Sequence, residues 1–175
     1  MNDYNRNQDI TYIIDDFDSE IEQNWRIIND GVMGGRSESR FFLSKSGTAI
    51  FEGNISLENN GGFASVQKNR SLKLTGYNRI KIYYKGDGRT YKFRFWTSEN
   101  GEIHDFSYHT EFHTSINKWE VLDIPFTEFQ PFFRGVPVMD VPGFNPAKIQ
   151  RYGFLISDKQ DGPFRLEIDK VQAFK

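Results

Sequence analysis

The chain has no cysteine, so disulfides, thiolate chemistry and cysteine-ligated zinc or iron–sulfur centres are excluded. It has no run of about 18 apolar residues, the length a helix needs to span a bilayer. Charge of one sign is missing too: 22 basic residues face 24 acidic ones for a net charge of −2, leaving no chain-wide field to draw nucleic acid or an anionic membrane. Neither is an expected partner. The opening stretch, MNDYNRNQDI, lacks both the apolar core of a secretory signal and the arginine-rich, acid-poor character of a mitochondrial presequence, so a cytoplasmic location is expected.

Hydrophobic residues make up only 37% of the 175 positions, but 17 Phe, 8 Tyr and 3 Trp are among them. Each aromatic removes about 150–250 Å² from water when buried, so aromatics are expected to carry the core. This length suits one domain, which buries roughly 70% of its unfolded surface. We expect a flexible tail over residues 1–8 and a single domain over 9–175.

Period-two alternation recurs along the chain. RIKIYYK puts Ile80, Ile82 and Tyr84 on one face, and TYKFRFW puts Tyr91, Phe93 and Phe95 on one face with Lys92 and Arg94 opposite. The intervening GDGR is turn-forming, which predicts a β-hairpin from Arg79 to Trp96. RYGFLIS and FRLEIDKV, joined by DKQDGP, predict a second hairpin with Tyr152, Phe154, Ile156, Phe164, Leu166 and Ile168 inward. Further strands fit ITYIIDDF, RFFLS, GTAIFEGNIS, GFASVQ, DFSYHTEFH and WEVLDI; the expected helix is one short turn through EIEQNW, capped by Asp18 or Ser19. About nine or ten short strands without a helical repeat predict an all-β, two-sheet sandwich. The stretch from Pro125 to Pro146 holds Phe126, Phe129, Phe132, Phe133, Val138 and Phe144, and is expected to pack as a long covering loop.

Two glycine-rich segments stand out. NDGVMGGRS, Asn29 to Ser37, matches neither G-x-G-x-x-G nor the G-x-x-x-x-G-K-[ST] phosphate loop. Its glycines suit a sharp connection in which Asn29 or Asp30 bonds the turn and Val32 or Met33 anchors it. Alternatively, Asp30 and Arg36 are recognition residues on a loop that permits close approach. LENNGGFASV repeats the theme, with Asn59 and Asn60 suited to a turn before Gly61, Gly62 and Phe63.

In YHTEFHT, alternation sends His109, Glu111 and His113 to one face. Residues two apart on a strand stand about 6.5–7 Å apart, too far to share zinc without convergence and a further ligand such as His104, so a solvated polar face is preferred. Asp16 and Asp18 near the start, with Glu167 and Asp169 near the end, are a candidate structural calcium site if the terminal strands are neighbours; an exposed acidic edge is the alternative. No other cofactor is expected. There is no G-x-S-x-G and no serine spaced for a histidine and acid, so nothing specifies an enzyme. Trp96, Tyr108 and Arg134 are candidates for a sugar-binding face by residue type.

Taken together, WRIINDGVMGGRSES, FEGNISLENNGGFASV, YNRIKIYYKGDGRTYKFRF, KWEVLDIPFTEFQPFFRG and RYGFLISDKQDGPFRLEIDKVQAF resemble the complex I intermediate-associated protein 30 family, from about Phe17 to Phe174. The resemblance implies a jelly-roll sandwich of the galactose-binding-like type, a fold shared with carbohydrate-binding modules. It also implies a noncatalytic assembly-factor or chaperone-like role, with subunits of a respiratory NADH dehydrogenase as protein partners; the departure from the family's mitochondrial pattern, in which a presequence precedes the domain, leads us to expect a stand-alone bacterial form. The family motifs fall on Trp25, Asn29, Asp30, Gly31, Val32, Met33, Gly34, Gly35 and Ser37, and on Gly53, Asn60, Gly61, Gly62 and Phe63. The alternative function is binding of an oligosaccharide on a concave sheet face. The candidate partner surface comprises Asn29, Asp30, Met33, Arg36, Asn59, Asn60, Trp96, Tyr108, His109, Glu111, His113 and Arg134.

Overall fold

The computed structural model describes residues 10–17 and 24–175. Among the described residues fourteen strands follow one another: β1 (Thr11–Asp15), β2 (Trp25–Asn29), β3 (Glu38–Leu43), β4 (Ala49–Ile55), β5 (Ala64–Leu72), β6 (Arg79–Lys85), β7 (Thr90–Glu99), β8 (Glu102–Ile103), β9 (Ser107–His113), β10 (Trp119–Pro125), β11 (Gln130–Phe133), β12 (Val136–Pro137), β13 (Ile149–Ile156) and β14 (Gly162–Phe174). The expected short helix and the residues 1–8 tail fall outside the described residues, except that Asn24 lies in a turn and Trp25 opens β2.

The strands form two antiparallel sheets. The smaller runs β10-β6-β14-β4-β3, with β1 continuing along β14 beyond β4; the larger runs β12-β11-β9-β7-β13-β5-β2, with β8 on β7. The all-β sandwich expected from the strand pattern is what forms. The strands beyond the expected set are β2, β8, β11 and β12, all short or at the rim.

Neither predicted hairpin exists. β6 lies in the smaller sheet and β7 in the larger; β13 lies in the larger and β14 in the smaller. GDGR and DKQDGP therefore carry the chain across the sandwich. The expected inward faces nonetheless form, because strands facing each other across a core show the same alternation as strands paired side by side. Tyr91, Phe93, Phe95, Tyr152, Phe154 and Ile156 of the larger sheet pack against Ile80, Ile82, Tyr84, Phe164, Leu166 and Ile168 of the smaller.

Arg89 fixes both crossovers at one end. Its guanidinium is buried, pairs with Asp158 at 2.6 Å, and donates to the carbonyls of Gln160, Gly162 and Pro163. The Pro125–Pro146 stretch covers the core as expected through Phe126, Phe129, Val138 and Phe144, but it also forms β11 and β12, and Phe133 stays exposed. In β13 the register shifts between Ile149 and Arg151, which keeps Ile149 and Tyr152 inward while Arg151 turns out.

Candidate functional site

The two glycine segments meet at one end of the sandwich, and Asp30 joins them. It begins a short 3-10 turn, Asp30–Met33, directly after β2, and its side chain is fully buried. The carboxylate accepts from the Ser37 backbone N–H (2.8 Å), the Ser37 hydroxyl (2.5 Å), and the backbone N–H groups of Gly62 (2.6 Å) and Phe63 (3.3 Å). Ser37 Oγ accepts in turn from the Ser56 N–H at 3.0 Å, and Asn59 donates to the Gly34 carbonyl at 3.1 Å. Burial by itself raises the carboxyl's pKa; the bonds from Gly62, Ser37 and Phe63 outweigh it and hold the group below the ordinary range.

The glycines leave room for this carboxylate. A Cβ on Gly35 would stand 2.3 Å from Asp30 Cγ, and one on Gly61 would stand 2.5 Å from Asp30 Oδ2. The open alternative for Asp30 is thereby resolved: it clamps the loops through backbone and hydroxyl donors and does not face solvent. Arg36 is exposed and pairs with Glu58 of the second segment at 2.6 Å. The clamp lifts Val32 and Met33 into solvent, 74% and 56% exposed, with Leu57 and Ile27 also exposed nearby. Val32 and Met33 thus anchor nothing.

The second feature is the outer face of the larger sheet. Arg26 of β2, Gln67 of β5, Gly153 of β13, Arg94 of β7, His109 of β9 and Gln130 of β11 are in register across it. One row away Trp96 is in register with Arg151, and both Arg94 and Arg151 lie over its ring, at 4.5 and 5.5 Å from the centroid. Trp96 is only 6% exposed. Arg94 Nε and Nη2 are closed off from solvent without a hydrogen bond, and burial together with Arg151 pulls that guanidinium's pKa down to about 9. His109 is buried against the Phe132 ring at 4.0 Å, and burial, then Lys92 and Arg94, push its pKa down to about 4. A cavity of about 680 Å³ beside it is lined by Lys92, Glu111, Gln130 and Lys159.

The remaining nominated residues scatter. Tyr108 is a correction: alternation puts it inward, where it is buried and donates to the Pro142 carbonyl at 2.5 Å. Asn29 is half-buried and accepts from Ser39 Oγ at 2.8 Å; Asn60 is exposed. Glu111 and His113 are exposed on the face expected for them, His113 Nδ1 lying 3.0 Å from Thr90 Oγ1. Arg134 is exposed over the Phe133 ring, beyond the sheet face. Trp25 packs against Phe17, Phe41 and Tyr152. For the calcium candidate, β1 and β14 are indeed neighbours, but Glu167 pairs with Lys85 at 2.8 Å and accepts from Thr48, Asp169 sits at a register shift, and Asp18 is outside the described residues. Among the described residues no three His, Asp or Glu side chains gather as a metal site.

Sequence reasoning missed Arg151 and the role of Arg89. Arg94 was visible as an outward position beside inward phenylalanines, but its lack of an acidic partner depends on which strands flank β7.

The fold and the clamped loop pair define a jelly-roll sandwich of the galactose-binding-like type. The Family 11 carbohydrate-binding module of a Clostridium thermocellum cellulosomal cellulase has the same architecture, with a TM-score of 0.71 at 15% identity over 93% of each chain. The family model described as Complex I intermediate-associated protein 30 matches residues 16–168, and the chain belongs to that family. Relatives include the mitochondrial complex I intermediate-associated protein 30 of Drosophila melanogaster, 27% identical over 92% of this chain, and that of Mus musculus, 28% identical over 86%. The chain spans 62% and 52% of those two proteins.

Proposed function

We propose that the chain is a noncatalytic assembly factor that binds a protein partner through the loop pair held by Asp30, and that the partner is a subunit of a respiratory NADH dehydrogenase. Family membership supports the role. The observation that carries the surface is the exposure of Val32 and Met33 on a loop whose base is fixed by a buried, four-bonded carboxylate. A rigid loop with raised apolar side chains suits a docking anchor, since little is lost in ordering it. The cytoplasmic location expected from the sequence is part of the proposal; the two relatives above are named as mitochondrial.

Oligosaccharide binding is the second reading, favoured by the shared architecture. It needs exposed rings on a concave sheet face; Trp96 and Tyr108, the rings expected there, are both buried, and the exposed Trp119 stands on the edge strand β10 of the other sheet under Lys85. Protein binding is therefore preferred. Affinity purification of the tagged chain from its source cells, with mass spectrometry, tests the choice: enriched dehydrogenase subunits support assembly, and an eluate matching a control bait contradicts it.

A further inference from the structure

Three arginines cross the outer face of the larger sheet without an acid among them. The Arg94 side chain has no hydrogen bond among the described residues, and its Nε and Nη2 are shut away from water. Arg151 donates to the neutral Asn69 at 2.7 Å. Arg26 is exposed on the edge strand β2. Each raises the cost of charge on the next: Arg151 lowers the pKa of Arg94, and Arg26 lowers that of Arg151, in both cases after burial. The acid in register nearby, Glu111, lies 3.6 Å from Lys92.

The opposite sheet shows what a settled charge cluster looks like. There, lining a depression of about 910 Å³, Arg40 and Arg165 both pair with Glu52. A buried guanidinium with unmet donors costs stability, because its N–H groups lose water and gain nothing. Trp96 lies against both Arg94 and Arg151, so the cluster is built in place.

We propose that this face takes an acidic peptide segment of a protein partner, with its carboxylates against Arg26, Arg151 and Arg94. From β2 to β7 is three strand spacings, about 14 Å, or roughly four residues of extended peptide. Guanidinium forks match planar carboxylates two bonds at a time. A net charge of −2 gives no field to gather a long nucleic acid, whereas a short acidic segment needs only the local cluster. The track also starts on β2, whose last residue, Asn29, leads into the Val32 and Met33 loop, so one partner reaches both surfaces. Because Arg94 Nε and Nη2 are shut away from solvent, a carboxylate at Arg94 requires its neighbour Arg151 to turn away from Asn69. The proposal rests on the protein-binding reading and adds the partner's chemistry.

The test is fluorescence anisotropy of a labelled hexaglutamate peptide at low ionic strength, with wild type, Arg94→Met, Arg151→Gln, and Arg40→Gln on the other sheet. We expect saturable binding, retained by Arg40→Gln and weakened at least tenfold by the other two. Arg94→Met should also raise the melting temperature by about 2–4 °C, since it removes an unpaired buried charge. If Arg94→Met fails to fold, Arg151→Gln carries the same test. No binding by wild type, unchanged binding in both face variants, or tighter binding of hexagalacturonate than of the peptide overturns the proposal. Peptide binding without recovery of dehydrogenase subunits from cells would remove the assembly reading and keep this site; the reverse would remove the site alone.

Discussion

The carboxylate of Asp30 accepts a 2.6 Å hydrogen bond from the backbone N–H of Gly62, joining two loops 32 residues apart. Replacing Asp30 with Ala strands the buried N–H of Ser37 and the half-buried N–H groups of Gly62 and Phe63. At about 1–3 kcal/mol per stranded donor, a loss of roughly 3 kcal/mol or more is expected. Urea unfolding at neutral pH measures it. Because the folded pKa lies below the ordinary 3.8, this contribution is complete above about 3.8 and disappears as pH falls through the folded value. Asp30→Asn should therefore show a weaker acid limb than wild type.

Gly35 and Gly31 make a matched pair. A methyl on Gly35 collides with the Asp30 carboxylate, whereas nothing lies within 4 Å of a Cβ on Gly31. Gly35→Ala should destabilise by about 2–3 kcal/mol, and Gly31→Ala by no more than about 0.5 kcal/mol. Equal unfolding midpoints for the two would contradict the clamp.

Histidine 109 supplies a pH signature. Its folded pKa of about 4 lies below the ordinary 6.5, so the unfolded chain binds the proton more readily between those values. Stability should fall as pH drops from about 6.5 to 4, and His109→Gln should remove that part of the slope. Titration of the ring proton by NMR should give a midpoint near 4; one near 6.5 would show the ring to be solvated.

An exposed and a buried arginine should differ in what they contribute to stability. Arg36 and Glu58 are both largely exposed, so Arg36→Ala should shift stability by less than about 0.5 kcal/mol. Arg89→Ala leaves Asp158 buried without its partner and frees both crossovers, with an expected cost of about 3–5 kcal/mol. Chemical denaturation of the two variants checks the contrast.

Much of the fold was legible in residues such as Phe93 and Phe154, whose alternation marks a buried face whichever sheet holds the strand. Pairing was not legible. GDGR and DKQDGP have the composition of hairpin turns, and only the strand order shows that they cross between sheets, where Arg89 bridges them through Asp158. The glycine motif was visible as a unit, yet its central acid carries no sign of burial in the sequence, because the donors it serves include Gly62 and Phe63, in another segment. The arginine face was harder still. Arg26, Arg94 and Arg151 are far apart along the chain and meet only through strand order.

The measurement closest to the central proposal is recovery of dehydrogenase subunits by a Val32→Asp/Met33→Asp variant whose urea midpoint matches wild type. The expected result is enrichment with wild type and loss with the variant, since both side chains stand in solvent and leave the Asp30 clamp intact. Equal recovery by the two proteins would contradict the account.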